Sequence, residues 1–79
     1  MQAQRTIREI AIDIRQHWPK VYYGAEPYLA AMSTLQTVND YYGLDSARSI
    51  LEYFLANATT FRGEDARRLK AEIKALLGR

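Results

Sequence analysis

The sequence predicts an all-α fold, a compact four-helix bundle formed as a single domain over residues 1–79. Two observations lead there. Four glycines, Gly24, Gly43, Gly63 and Gly78, punctuate the chain, and between them apolar residues recur at steps of three and four rather than alternating. The length also suits one core, because two cores of about forty residues each would need disulfides or metals, and the chain has no cysteine. With 48% hydrophobic and 25% charged residues, the composition is that of a chain that folds, not of a disordered segment.

The first helix is expected over residues 4–17. Ile7, Ile10, Ala11, Ile14 and Trp18 form one apolar stripe, and Trp18-Pro19 ends it, since the residue before a proline is pushed out of helical geometry. The second, over 26–42, opens at Glu26 or Pro27, where a proline in the first turn loses no hydrogen bond. Its face would be Tyr28, Ala31, Met32, Leu35, Val38 and Tyr42, with Asn39 hydrogen-bonded inside that face. Gly43 would close this helix in the left-handed conformation, and Leu44 would supply the apolar contact that accompanies such a cap. Asp45 or Ser46 would then cap the third helix, over 46–58. It carries the cleanest stripe: Ala47, Ile50, Leu51, Phe54, Leu55 and Ala58. The fourth, over 63–77, places Glu64 and Asp65 in its first turn, as the helix dipole favours. Its core face is Ala66, Leu69, Ile73, Leu76 and Leu77. Tyr22-Tyr23-Gly24 before Glu26 and Tyr41-Tyr42-Gly43 before Asp45 read as one helix-start chemistry used twice.

Charge is uneven along the chain. Residues 1–20 sum to +2 and residues 62–79 to +3, around a central stretch at −3. Such a split would steer an acidic partner to one side, and it equally suits basic terminal helices lying beside acidic central ones. Without cysteine there is neither a disulfide framework nor a thiolate metal site, which points to an intracellular location. The chain starts on a charged amphipathic segment and has no apolar run near the roughly 18 residues a membrane span needs, so neither a signal peptide nor a membrane partner is expected.

No catalytic constellation is evident. His17 is the one histidine, and Glu9, Asp13 and His17 lie four apart on one flank of the first helix. A single helix encircles an ion poorly, so that flank reads as a solvated acidic surface facing Arg5. Ser33, Ser46 and Ser49 lie in no strand-to-helix elbow, and no phosphate loop occurs. The chain is therefore expected to be no enzyme, with no cofactor, no metal and no small-molecule substrate.

Binding is the remaining class. Tyr22 and Tyr23 fall in a loop, and Tyr41 and Tyr53 lie off the stripes of their helices. Tyrosine is enriched at the energetic centres of protein interfaces, so these four are expected to converge on an exposed patch if the first loop approaches the end of the second helix. The alternative is that Tyr22 or Tyr23 closes one end of the core. Ile12, ringed by Arg5, Arg8 and Arg15, is either a contact to a partner or second copy, with Arg8 beside it, or a scattered surface residue. The leading expectation is a small protein-binding module; the alternative is a nucleic-acid binder using the flank Arg67, Lys70 and Lys74, joined by Arg62. A helix-turn-helix about Gly43 fails, because the would-be recognition helix presents Asp45, Ser46, Arg48, Ser49 and Glu52, nearly neutral where phosphates should be met by bases.

Between Tyr22 and Leu77 the chain resembles a group of short proteins encoded in tailed-bacteriophage genomes. The residues that carry the resemblance are Gly24, Pro27-Tyr28-Leu29-Ala30-Ala31-Met32, Tyr42-Gly43-Leu44-Asp45-Ser46-Ala47, Tyr53-Phe54-Leu55-Ala56-Asn57-Ala58, Arg62-Gly63 and Ala66-Arg67. These are mostly stripes and caps, so the resemblance implies ancestry and no particular chemistry. It implies expression in the cytoplasm of a bacterial host, and with it a small protein directed at a host protein.

Overall fold

The computed structural model describes residues 5–79. It contains four helices and one two-stranded sheet in the order α1 (Ile7–His17), α2 (Glu26–Met32), β1 (Tyr41–Tyr42), β2 (Asp45–Ser46), α3 (Ala47–Ala56) and α4 (Glu64–Leu76). The fold is thus mostly helical, with four helices as the sequence predicts, but it is not purely α. The expected helix start at residue 4 lies outside the described residues.

From Thr6 onward the reason α1 begins is visible. The Thr6 hydroxyl accepts from the Glu9 N–H at 3.1 Å and the Glu9 carboxylate accepts from the Thr6 N–H at 2.8 Å, a reciprocal capping box. The N–H groups of Ile7 and Arg8 donate to the carbonyls of Gln36 and Leu35 at 3.0 and 2.9 Å. All the orphan donors of the first turn therefore have partners, two of them from a segment some thirty positions away in the chain.

Those carbonyls explain the main departure from expectation: α2 ends at Met32, not at residue 42. The Ser33 and Thr34 hydroxyls donate back to Leu29 and Ala31 carbonyls at 3.1 and 2.8 Å. The Asp40 carboxylate then accepts from the N–H groups of Gln36 and Thr37 at 2.9 and 3.1 Å. Short polar side chains offer the backbone partners outside a helix, and here five of residues 33–40 are Ser, Thr, Asn or Asp. Leu35 is still buried, Val38 is half-buried, and Asn39 lies exposed instead of inside an apolar face.

The residues expected to finish that helix instead form a β-hairpin. Tyr41 pairs with Ser46 and Tyr42 with Asp45, antiparallel. The turn residues are Gly43, at φ +62°, and Leu44, whose φ is not positive. That is the pattern of a type II′ turn, whose twist matches that of paired strands and which takes glycine at its first central position. Gly43 is left-handed as expected, but it turns a ribbon instead of ending a helix. The two Tyr-Tyr-Gly segments consequently differ, since Gly24 has no positive φ.

Ser46 caps α3, its hydroxyl accepting from the Ser49 N–H at 3.1 Å, and Gly63 stands at the N-cap of α4. One core joins the elements. It takes all five predicted stripe positions of α1, together with Leu29 and Met32 of α2, Ile50, Leu51 and Phe54 of α3, and Leu69 and Ile73 of α4. Trp18 stacks on Phe61 at 4.9 Å and meets Phe54 edge-on at 6.2 Å, closing the junction of α1, α3 and the turn before α4. The Cα radius of gyration is 11.5 Å, against about 11.6 Å for a compact body of this length. Among the described residues, no helix is long and apolar enough to cross a membrane.

Candidate protein-interaction surface

The largest departure from a buried-apolar surface is the hairpin tip. Leu44 is 100% exposed, Tyr41 69% and Tyr42 48%. Neighbouring residues of a strand point to opposite faces, so the ribbon meets solvent on both sides. Tyr42 was expected in the core and Leu44 against a helix cap; the early end of α2 puts both outside.

The base of the ribbon is held. The Asp40 carbonyl accepts from the Ala47 N–H at 2.8 Å, while its carboxylate grips the preceding turn. The N–H groups of Thr37 and Gln36 favour the charged form and hold the Asp40 carboxyl below the usual aspartate range. A tip of three large apolar side chains thus stands on a base fixed at both strands.

The four tyrosines expected to form one patch belong to three elements: the first loop, α3 and the hairpin. Tyr22 and Tyr23 form a pair at 4.9 Å, with Tyr22 lying against Gly24 and Tyr23 82% exposed. The Tyr22 hydroxyl titrates above the usual tyrosine range because of its hydrogen bond with Tyr23. Tyr53 stacks on half-buried Tyr28 of α2 at 5.5 Å. Tyr41 sits in the hairpin, opposite Ser46 at the other end of α3; the seven residues from Ser46 to Tyr53 span about 10 Å of helix. Neither Tyr22 nor Tyr23 is buried. Ile12 and Arg8 are exposed on the flank of α1 nearer α2, where Arg15 pairs with Glu26 at 2.6 Å.

The opposite flank of α1 is bound to α4 by charge. Arg5 donates to Glu72 at 2.6 and 2.8 Å and to Asp13 at 3.2 Å, and Arg68 bridges Asp13 and Asp65 at 3.3 and 3.0 Å. His17 lies 2.9 Å from Asp13 and 3.6 Å from Asp65. Burial disfavours the Asp13 charge, but hydrogen bonds from Arg68 and Arg5 outweigh it and hold the carboxyl below its usual range. Glu9, expected beside Asp13 and His17, serves the capping box. Among the described residues no cluster of His, Asp and Glu is placed to hold a metal ion.

On α4, Arg67 and Lys74 are exposed and Lys70 is half-buried, its Nζ donating to the Phe61 carbonyl at 2.7 Å. Arg62, just before the helix, donates to Thr59. A shallow cleft of about 280 Å³ opens between Arg5, Thr6, the 36–39 segment and Leu76; its cation, Arg5, is already engaged by Glu72 and Asp13.

Sequence reasoning missed Tyr42 and Leu44. The signal was present in Tyr-Tyr-Gly-Leu, two β-prone aromatics followed by a glycine suited to the first position of a two-residue turn. No protein-family model, curated protein or solved structure matches the chain.

Proposed function

We propose that this chain is a protein-binding module, not an enzyme, and that it seats the hairpin tip Tyr41-Tyr42-Gly43-Leu44 in an apolar pocket of a protein of its host cell. The observation that carries this reading is the fully exposed Leu44 at the turn after two exposed tyrosines, on a ribbon anchored by Asp40. Leaving a leucine in water forgoes about 1.5–3 kcal/mol of burial, and a partner recovers it. Tyrosines add large contact area with few rotors to freeze. Because the strand pairs and Asp40 already fix the ribbon, little ordering remains to be done on binding. The resemblance to tailed-phage proteins supports a host protein as the occupant.

The test pairs two measurements on purified protein. Leu44→Asp should leave the melting temperature within about 3 °C of the parent, since exposed positions usually change stability by no more than about 0.5 kcal/mol. It should also weaken a captured host protein, then purified, by about 10- to 100-fold in Kd, the equivalent of the lost burial. Equal affinity for parent and variant would refute the site. A dimer in sedimentation that Leu44→Asp dissolves would make the occupant a second copy and refute the host-protein reading.

A further inference from the structure

The outer flank of α4 is a second, chemically different surface. Arg67, Lys70 and Lys74 follow one line at helical spacing, over an axial length of about 10 Å, and Arg62 stands at its head. Two of the three acids of α4 lie elsewhere: Asp65 and Glu72 face α1, where they pair with Arg68 and Arg5. Glu64, exposed in the first turn three residues before Arg67, stands at the edge of the flank. Among the described residues, no carboxylate forms an ion pair with Arg62, Arg67, Lys70 or Lys74. Four cations against the single carboxylate of Glu64 leave the field there positive. Burial, Lys74 and Arg62 together push the Lys70 ammonium below the usual lysine range, as neighbouring like charges must.

We propose that this flank binds the phosphate backbone of duplex nucleic acid without reading its bases. A duplex carries one charge per about 1.7 Å of axis, so a wall about 10 Å long meets several phosphates. The exposed guanidiniums of Arg62 and Arg67 suit bidentate phosphate contact. Single-strand binding needs aromatic platforms for unstacked bases, and the one aromatic on this side, Phe61, is buried beneath Lys70. A protein partner would want a desolvated apolar anchor; on this face the exposed uncharged residue between the cations is Ala71. The outward positions of α4 also lack the Asn or Gln that pair with adenine edges.

The test is fluorescence anisotropy with a labelled 20-base-pair duplex of arbitrary sequence. The parent should bind saturably at 50 mM salt, with a slope of log K against log salt of about −3, the value for three to four phosphate contacts. Arg67→Ala with Lys74→Ala, both at exposed helical positions, should weaken binding more than tenfold at 50 mM salt. The same pair should reduce the slope by about 2, with the melting temperature retained. Arg8→Ala, an exposed basic position on the flank of α1 nearer α2, should change neither, and Leu44→Asp should bind the duplex like the parent, which separates this surface from the hairpin. Absence of saturable binding, or a slope unaltered by the double substitution, would overturn the proposal. So would a deca-glutamate peptide that competes as well as the duplex, which would assign the flank to an acidic protein segment.

Discussion

Phe54→Ala removes the side chain on which the helices converge. Phe54 is the largest of the fully buried side chains, at the centre of α3's apolar stripe and edge-on to Trp18, which in turn stacks on Phe61. Truncating a buried phenylalanine costs about 3–5 kcal/mol, through lost transfer energy and the cavity left behind. Loss of the edge contact to Trp18 puts this site toward the upper end. A 79-residue domain has about 4–12 kcal/mol in total, so the substitution removes between about a quarter and all of it. With an unfolding entropy of about 2.1 cal/mol/K per residue, each kcal/mol moves the midpoint by about 6 °C. The expected shift is therefore about 18–30 °C in a thermal melt followed by circular dichroism. A shift of less than about 6 °C would refute the reasoning, because a cavity of that size between packed helices has no cheap way to collapse.

Smaller perturbations test the local devices. Thr6→Ala removes the hydroxyl half of the capping box and should cost about 1 kcal/mol, read as a melting shift of about 6 °C; no shift would mean that the Leu35 and Gln36 carbonyls alone hold the start of α1. Gly43→Ala places a methyl where nothing lies within 4 Å, at φ +62°, so a loss of about 1–2 kcal/mol in chemical denaturation would be purely conformational. Asp13 titrates below its usual range in the folded chain, so its contribution is present above the unfolded aspartate value near 4 and is lost as pH falls through the folded value. Asp13→Asn should lower stability at pH 7 and flatten the part of the acid limb below about pH 4; an unchanged acid limb would show that the α1–α4 ion pairs contribute nothing measurable.

What the sequence made legible follows from where each element finds its hydrogen bonds. The helices α1, α3 and α4 satisfy most of their backbones internally and bury one face, so spacing alone discloses them; Ile7, Ile10, Ala11, Ile14 and Trp18 are all buried as read. The stretch 33–46 defeats that approach, because Leu35, Val38 and Tyr42 happen to keep helical spacing while the backbone between them is claimed from outside. The Leu35 and Gln36 carbonyls receive α1's first N–H groups, and Asp40 takes the N–H groups of Gln36 and Thr37. The polar content of residues 33–40 was readable as a break; its partner at the start of α1 was not, since that contact exists only once the chain has folded. The reading of Tyr41 rested on the same long second helix; in its place Tyr41 stands on a hairpin strand and not on a helix flank.

The most direct measurement of the central claim is site-specific photo-crosslinking in cells that make the protein, with a photoreactive phenylalanine analogue placed in turn at positions 44, 12 and 67. All three positions are exposed, so each variant should fold. The hairpin-tip account predicts one discrete crosslinked protein from position 44, weakened when Tyr41→Ser is added, and no such species from position 12. Crosslinking of the same protein from position 12 with none from position 44 would contradict it and move the interface to the Arg8–Ile12 flank of α1.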